Sequence, residues 1–389
     1  MSGSAGYLSQ GRSLQEEFVR LALAAGIHLP FLVSDYLGPM EWLSEARAEA
    51  APLSDVMARA GRLASRADAE GDAYVCAQTA AIVAQGELAQ GGVPGYEELV
   101  GRLLGARLAA PGEDELAVLE AEVADLARQV TGVGHDPVRA WERSSGLRGE
   151  AKWDVALDAY RLGRSYVRGV FPIPVAEDLT IRRTTDPIVS VHLTWQEPDR
   201  MAFEVNVDLP RPAATTSWEV AHNIYPGDYL HMLVLSQQTH GREGRPAAAI
   251  KLKNAPENVV AEGIEDTAFL RLVPEPSPPE RLANQLEWLR RGVNVRAAVR
   301  LRDGDAPEEV RAYLQAAGLM DAGRAEQELA RLEHPLWGTY QYSYWLGRLL
   351  VQEAERRSGG GDRFLAFLYG ALHVPATFLD EVARHVPPG

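Results

Sequence analysis

Trp218-Glu219-Val220-Ala221-His222-Asn223-Ile224-Tyr225-Pro226-Gly227-Asp228-Tyr229-Leu230-His231 is the stretch on which the reading of this 389-residue chain turns. Asn254-Ala255-Pro256-Glu257-Asn258-Val259-Val260-Ala261-Glu262-Gly263 answers it further along. A histidine on a helix, a second ligand shortly after it and a glutamate from a later helix can form a three-ligand metal site. Such a site leaves a fourth position for water. His222, Asp228 and Glu262 are the candidate ligands. The step from His222 to Asp228 does not put both on one face of a straight helix. Pro226-Gly227 between them supports two readings. A proline distortion could return Asp228 to the side of His222. Alternatively, Pro226-Gly227 ends one helix and Asp228 caps the next.

Two more segments flank this pair: Val205-Asn206-Val207-Asp208-Leu209-Pro210 and Tyr340-Gln341-Tyr342-Ser343-Tyr344-Trp345-Leu346-Gly347. In order and spacing the four segments resemble a bacterial family, the domain of unknown function eight-eight-five. Members of that family resemble helical zinc metallopeptidases. Its pattern reads V-N-T-D-L-P, then H-E-x-x-P-G-H, then P-E-x-x-x-x-E-G, then Y-x-x-x-Y-x-x-G. The resemblance runs from about residue 180 to the C-terminus. It implies a mainly α, zincin-type fold, beside whose site helix the strand-forming segments from Leu179 to Val207 add a small antiparallel β-sheet. It also implies a zinc or other divalent metal site, and a cleft bordered by Tyr340 and Tyr344. Those tyrosines are four apart and share a helical face, where a hydroxyl could stabilise a developing oxyanion.

The chain departs from the family at two central positions. Asn223 replaces the glutamate that deprotonates metal-bound water, and an amide cannot take that proton. Asp228 replaces the second histidine, which shifts metal preference toward harder ions without abolishing binding. The favoured reading is a metallopeptidase-like protein with a degenerate metal site. It would lack standard peptidase activity and bind a peptide or small molecule in the cleft. The alternative is a metal-dependent hydrolase with a His/Asp/Glu ligand set and a substitute base, Glu219 or Glu265. A helical protein that serves only to assemble with a partner is a third possibility.

Composition sets outer bounds. Hydrophobic content of 46% and charged content of 24% are ordinary for a globular protein. Lys+Arg 39 against Asp+Glu 54 gives a net charge of −15, which argues against a general nucleic-acid partner. The single cysteine, Cys76, rules out an intrachain disulfide and reads as a small buried hydrophobe. Met1 to Gly6 lacks signal-peptide character, and Leu21 to Val33 is too short and interrupted to span a membrane. The expectation is therefore a cytoplasmic protein without membrane association; the oligomeric state stays open.

Along the chain, residues 1–135 read as an N-terminal helical region and 136–389 as the metallopeptidase-like region, together one compact unit. Helical spacing recurs in Leu14-Phe18-Leu21, Val56-Ala60-Leu63 and Leu116-Leu119-Val123-Leu126. Thr131 to Pro137 is a turn, and Trp153 to Val167 returns to helix. Leu179–Thr184, Ile188–Trp195 and Met201–Val207 are rich in strand formers, and an exposed edge there could hold a peptide by strand addition. His192, His231 and His240 read as packed or solvent-facing rather than ligating. Pro278-Pro279 opens a long helix whose arginines, Arg290 and Arg291 among them, form a solvated face from which one could reach a cleft carboxylate. Ala306–Ala317 and Ala322–Leu332 are two further helices, and Ser358 to Gly361 breaks the chain before the last ones.

Overall fold

The computed structural model describes residues 13–92, 94–170, 179–185, 190–197, 200–239 and 244–387. It is mainly helical, as the sequence predicts, and proline sets many of the helix starts. Pro137, Pro256, Pro278, Pro307, Pro335 and Pro375 each stand in the first turn, where the missing N–H costs nothing. Gly71, Gly105, Gly132, Gly304 and Gly359 end helices in the left-handed conformation that glycine adopts without strain. The turn expected at Thr131 to Pro137 is one of these ends, followed by the helix Pro137–Ser145.

The centre of the fold is the helix Pro256–Leu272, buried continuously from Pro256 to Phe269. A helix covered on all sides needs neighbours on every face. The long helix Pro335–Ser358 crosses it at glycine contacts. A Cβ on Gly347 would lie 1.9 Å from the Val259 carbonyl oxygen, and one on Gly263 would lie 2.2 Å from that of Gly347. The glycines that end the third and fourth sequence segments are thus the points where two backbones touch. The helices Ala213–Asn223 and Tyr96–Leu104 also pack on this central helix, and Pro278–Asp303 packs on Pro335–Ser358.

The strands sit beside this assembly. Leu179–Thr184, Val191–Glu197 and Arg200–Asn206 form a three-stranded sheet with Arg200–Asn206 in the middle. The expected antiparallel pairing exists between the last two, whereas Leu179–Thr184 joins parallel to Arg200–Asn206. Ile188 and Val189, expected to open the second strand, lie outside the described residues. A second, two-stranded ribbon pairs Val33–Tyr36 with Ile250–Leu252. The sequence of the N-terminal region predicts helices alone. Its strand forms only because a partner more than two hundred residues away supplies the ladder, which local spacing cannot announce.

Candidate metal centre

His222 lies in the last turn of Ala213–Asn223, its ring stacked on Trp218 with centroids 5.1 Å apart. The helix stops at Asn223, and Gly227 makes the turn that follows. A Cβ there would sit 1.8 Å from the His222 carbonyl oxygen, so only glycine lets the chain double back so closely. Asp228 then begins a new helix, Asp228–Ser236. Of the two readings of Pro226-Gly227, the structure takes the helix-break.

The consequence is a correction to the expected ligand set. Asp228 is directed to Lys251, whose Nζ stands 2.8 Å from Asp228 Oδ1. The groups that meet His222 come instead from one face of the central helix: Glu262, Glu265 and Asp266, spaced three and four apart. His222 Nε2 is 3.6 Å from Glu262 Oε2 and 3.4 Å from Glu265 Oε2. On the other side of the ring, Nδ1 is 3.1 Å from Asp266 Oδ1. His222, Glu262 and Glu265 offer ligand atoms that all lie within 4.8 Å of one another.

Of the other two glutamate oxygens, one accepts a hydrogen bond and one, buried without a hydrogen bond, faces a cation. Tyr340 donates to Glu262 Oε1. Lys251 Nζ stands 3.6 Å from Glu265 Oε1. Glu262 Oε2, which faces His222, is buried without a hydrogen bond. Lys253 donates to the Tyr340 hydroxyl at 2.8 Å, which ties a second lysine to the same carboxylate. Arg291 lies 3.5 Å from Asp266 Oδ1 and stacks over Tyr344, so one arginine of the long helix does reach a carboxylate of the cluster.

The electrostatics follow from burial. Burial, then Asp228 and Glu262, push the Glu265 carboxyl well above its usual range despite Lys251. Burial acts in the same direction on Asp266, but Arg291 and His222 overcome it and hold that carboxyl below its usual range. Burial and the neighbouring Glu262 keep the Tyr340 phenol protonated far into alkaline pH, so it stays a donor.

These residues fit a divalent cation. Ligand bonds of about 2.0–2.2 Å in a tetrahedron put neighbouring donors about 3.3–3.6 Å apart. The two Nε2-to-oxygen separations, 3.4 and 3.6 Å, match that edge. A carboxylate behind the far nitrogen is the partner that metal-bound histidines usually keep. One nitrogen and two oxygens suit zinc or a harder ion such as manganese.

The other predicted residues fall as follows. Asn223 donates its side-chain amide to the Glu219 carbonyl at 2.8 Å, closing its own helix end. Glu219 turns to the sheet side, accepting from Ser190 at 2.7 Å and Arg211 at 3.3 Å, which leaves it no role as a substitute base at His222. Tyr340 and Tyr344 share a helix face and both border the cluster, Tyr344 with its ring 6.3 Å from that of His222. His231 is packed in the core, His192 is exposed on the sheet, and His240 lies outside the described residues. Lys251 and Lys253 were missed. Their alternation around Leu252 is the signal that would have placed both on one face of a strand.

No family model and no curated protein sequence matches the chain, so the resemblance to the eight-eight-five family stands without that support. Solved structures do match. A "putative lipoprotein" from Colwellia psychrerythraea superposes with a TM-score of 0.62 at 16% identity, over 84% of this chain and 62% of that one. A "putative lipoprotein of unknown function" from Shewanella oneidensis gives 0.52 at 13% identity, over 96% and 73%. The fold is one these proteins share. This chain thus spans less than two thirds of the Colwellia protein. Trypanosoma cruzi metallocarboxypeptidase 1 aligns at 12% identity over 96% of this chain and 98% of that one, with a TM-score of 0.41, too low to build on. The expectation of a cytoplasmic protein is withdrawn. The neighbours that share the fold are named lipoproteins, and lipoproteins are held at a membrane by their lipid. Among the described residues, no helix is long and apolar enough to cross a membrane.

Proposed function

We propose that this chain binds a divalent metal through His222, Glu262 and Glu265, and that the centre holds a peptide or small-molecule ligand without the standard peptidase reaction. The observation that carries the reading is the division of labour at the two glutamates. Each gives one oxygen to a protein donor or cation and turns the other toward His222 Nε2. The metal, when bound, would supply a Lewis acid for a ligand carbonyl or carboxylate. Asp266 would orient His222, while Lys251 and Tyr340 would hold the two glutamates in place.

The absence of standard cleavage rests on Asn223 and on the geometry around it. The side chain at the base position is an amide committed to its own helix, and the nearby carboxylates are either ligands or paired with cations. Metal analysis of protein purified without added ions, and again after equilibration with zinc or manganese, tests this reading. Near-stoichiometric metal that drops at least tenfold in occupancy in Glu262→Ala and Glu265→Ala is the expected result. No metal after equilibration would refute the site, and brisk peptide hydrolysis by the unaltered chain would refute the second half of the proposal.

One observation favours a second reading. The Lys251 ammonium lies between Asp228 and Glu265, so the protein carries a cation of its own beside the cluster. On this reading the lysine stands in for the metal, and the metal analysis separates the two.

A further inference from the structure

A separate cavity of about 540 Å³ opens where the helix Pro137–Ser145, the turn Leu209-Pro210 and the start of the helix Ala322–Glu333 meet. It is lined by Arg139, Arg143, Arg148, Arg211 and Arg324. The chain as a whole carries a net charge of −15, so this concentration of guanidinium groups runs against its general field.

The acids in the lining are already committed. Glu142 receives Arg290 at 3.0 Å, and Asp321 caps its helix by accepting from the Arg324 backbone N–H at 2.8 Å. Arg324 and Arg211 are anchored from behind, by Glu287 at 3.2 Å and Glu219 at 3.3 Å. Arg139 donates to the Met320 carbonyl at 3.0 Å. Among the described residues, Arg143 and Arg148 have no ion pair, and both are exposed. The wall between them is built rigidly. Asn206 Oδ1 accepts from the backbone N–H groups of Asp208 and Leu209, and the fully buried Lys152 donates to the Asn206 and Leu209 carbonyls. The V-N-V-D-L-P segment, which the metal centre does not use, therefore shapes this cavity.

We infer that the cavity is a binding site for a compact polyanion, a small molecule with two or more phosphate or carboxylate groups. Its volume suits a ligand of that size. Guanidinium forks bind both kinds of oxyanion in bidentate fashion, and arginines fixed from behind lose little freedom on binding. Anchored arginines would set the ligand's position, and Arg143 and Arg148 would close on it from the open side.

The test is calorimetric titration of the full chain with pyrophosphate and with citrate at physiological salt. Binding of either is expected, and the stronger of the two assigns the ligand as phosphate-bearing or carboxylate-bearing. In the double variant Arg143→Ala/Arg148→Ala the Kd should rise by about tenfold or more, a loss in line with two charge-assisted contacts. Both side chains are exposed, so its unfolding temperature should match the parent. Arg107→Ala, outside the cavity, should bind like the parent. Titration in chelator should leave affinity unchanged, which separates this site from the metal centre. Failure of both anions to bind overturns the inference. So does binding that is indifferent to the double variant or lost in chelator.

Discussion

Lys251→Met is the perturbation that bears most directly on how the cluster is held together. Lys251 reaches Asp228 at 2.8 Å and Glu265 at 3.6 Å, with its own side chain 15% exposed and that of Glu265 only 4% exposed. Methionine keeps most of the aliphatic stem, so the loss is chiefly electrostatic. Breaking a buried pair by removing one partner costs about 3–5 kcal/mol, because the remaining charge is left uncompensated. Asp228 keeps some contact with water, which places this case at the lower end, about 3 kcal/mol. At roughly 2 °C per kcal/mol for a large domain, the melting temperature should fall by about 6 °C. Scanning calorimetry of both proteins in chelator measures this. At one fixed cation concentration, a divalent cation should then recover more stability in the variant than in the parent, because no ammonium competes with it for Glu265. A variant within about 1 kcal/mol of the parent in chelator would show that the lysine does not compensate these carboxylates, and the electrostatic account of the cluster would fall with it.

Other outcomes follow from particular contacts. Gly347→Ala gains about 1 kcal/mol of helix propensity but drives a methyl carbon to within 1.9 Å of the Val259 carbonyl oxygen. Overpacking on that scale costs about 3 kcal/mol or more, so the urea midpoint should drop clearly rather than rise. His231 is buried and titrates at about 3, pushed down first by burial and then by Lys251. Its unfolded form takes up a proton near pH 6.5, so the stability it contributes is present above that pH and is lost as pH falls toward 3. His231→Phe should flatten the urea midpoint between pH 6.5 and pH 4; an unchanged slope would count against the buried, neutral imidazole. Restoring the family residues is expected to need three changes: Asn223→Glu, Asp228→His and Lys251→Met. Without the third, a new imidazole would face the Lys251 ammonium, which keeps its 3.6 Å contact with Glu265. The triple variant should bind zinc more tightly than the parent in a competitive chelator titration, and a weaker affinity would contradict this.

The sequence made the helical architecture legible because its punctuation is local. Pro278-Pro279, Pro335 and Pro256 open helices where they stand, whereas Gly263 and Gly347 end quoted segments whose crossing only the structure shows. His222, Glu262, Tyr340 and Tyr344 were singled out from segments that the fold does bring together. What escaped was set by distance in the chain. The ribbon that carries Lys251, with Lys253 just past its end, exists only through its pairing with Val33–Tyr36. Once Lys251 is placed there, Asp228 has a nearer and oppositely charged partner than any metal, and the expected ligand is diverted. The sequence marks Glu265 only as a candidate base. Its position three residues after Glu262 on the same helix brings it to His222, whereas Asp228 starts a separate helix beyond a turn.

The case for a bound cation does not rest on the number of acids in the core. Lys251, Lys253 and Arg291 already set positive charge against Asp228, Glu262, Glu265 and Asp266, and such a network is weak grounds for stability or for a ligand. The informative detail is at single atoms. Tyr340 donates to Glu262 Oε1, and Glu265 Oε1, itself without a hydrogen bond, has Lys251 at 3.6 Å; Glu262 Oε2 is buried, facing His222 and accepting nothing. A structural ion-pair network gains by satisfying that oxygen, because a buried unpartnered acceptor costs about 1–3 kcal/mol. A metal site gains by keeping it free. The orientation of His222 agrees, since its Nδ1 is set against Asp266 and its Nε2 is turned to the same point. Filling that point with a cation satisfies the carboxylate and the imidazole together, which no side chain in the cluster does.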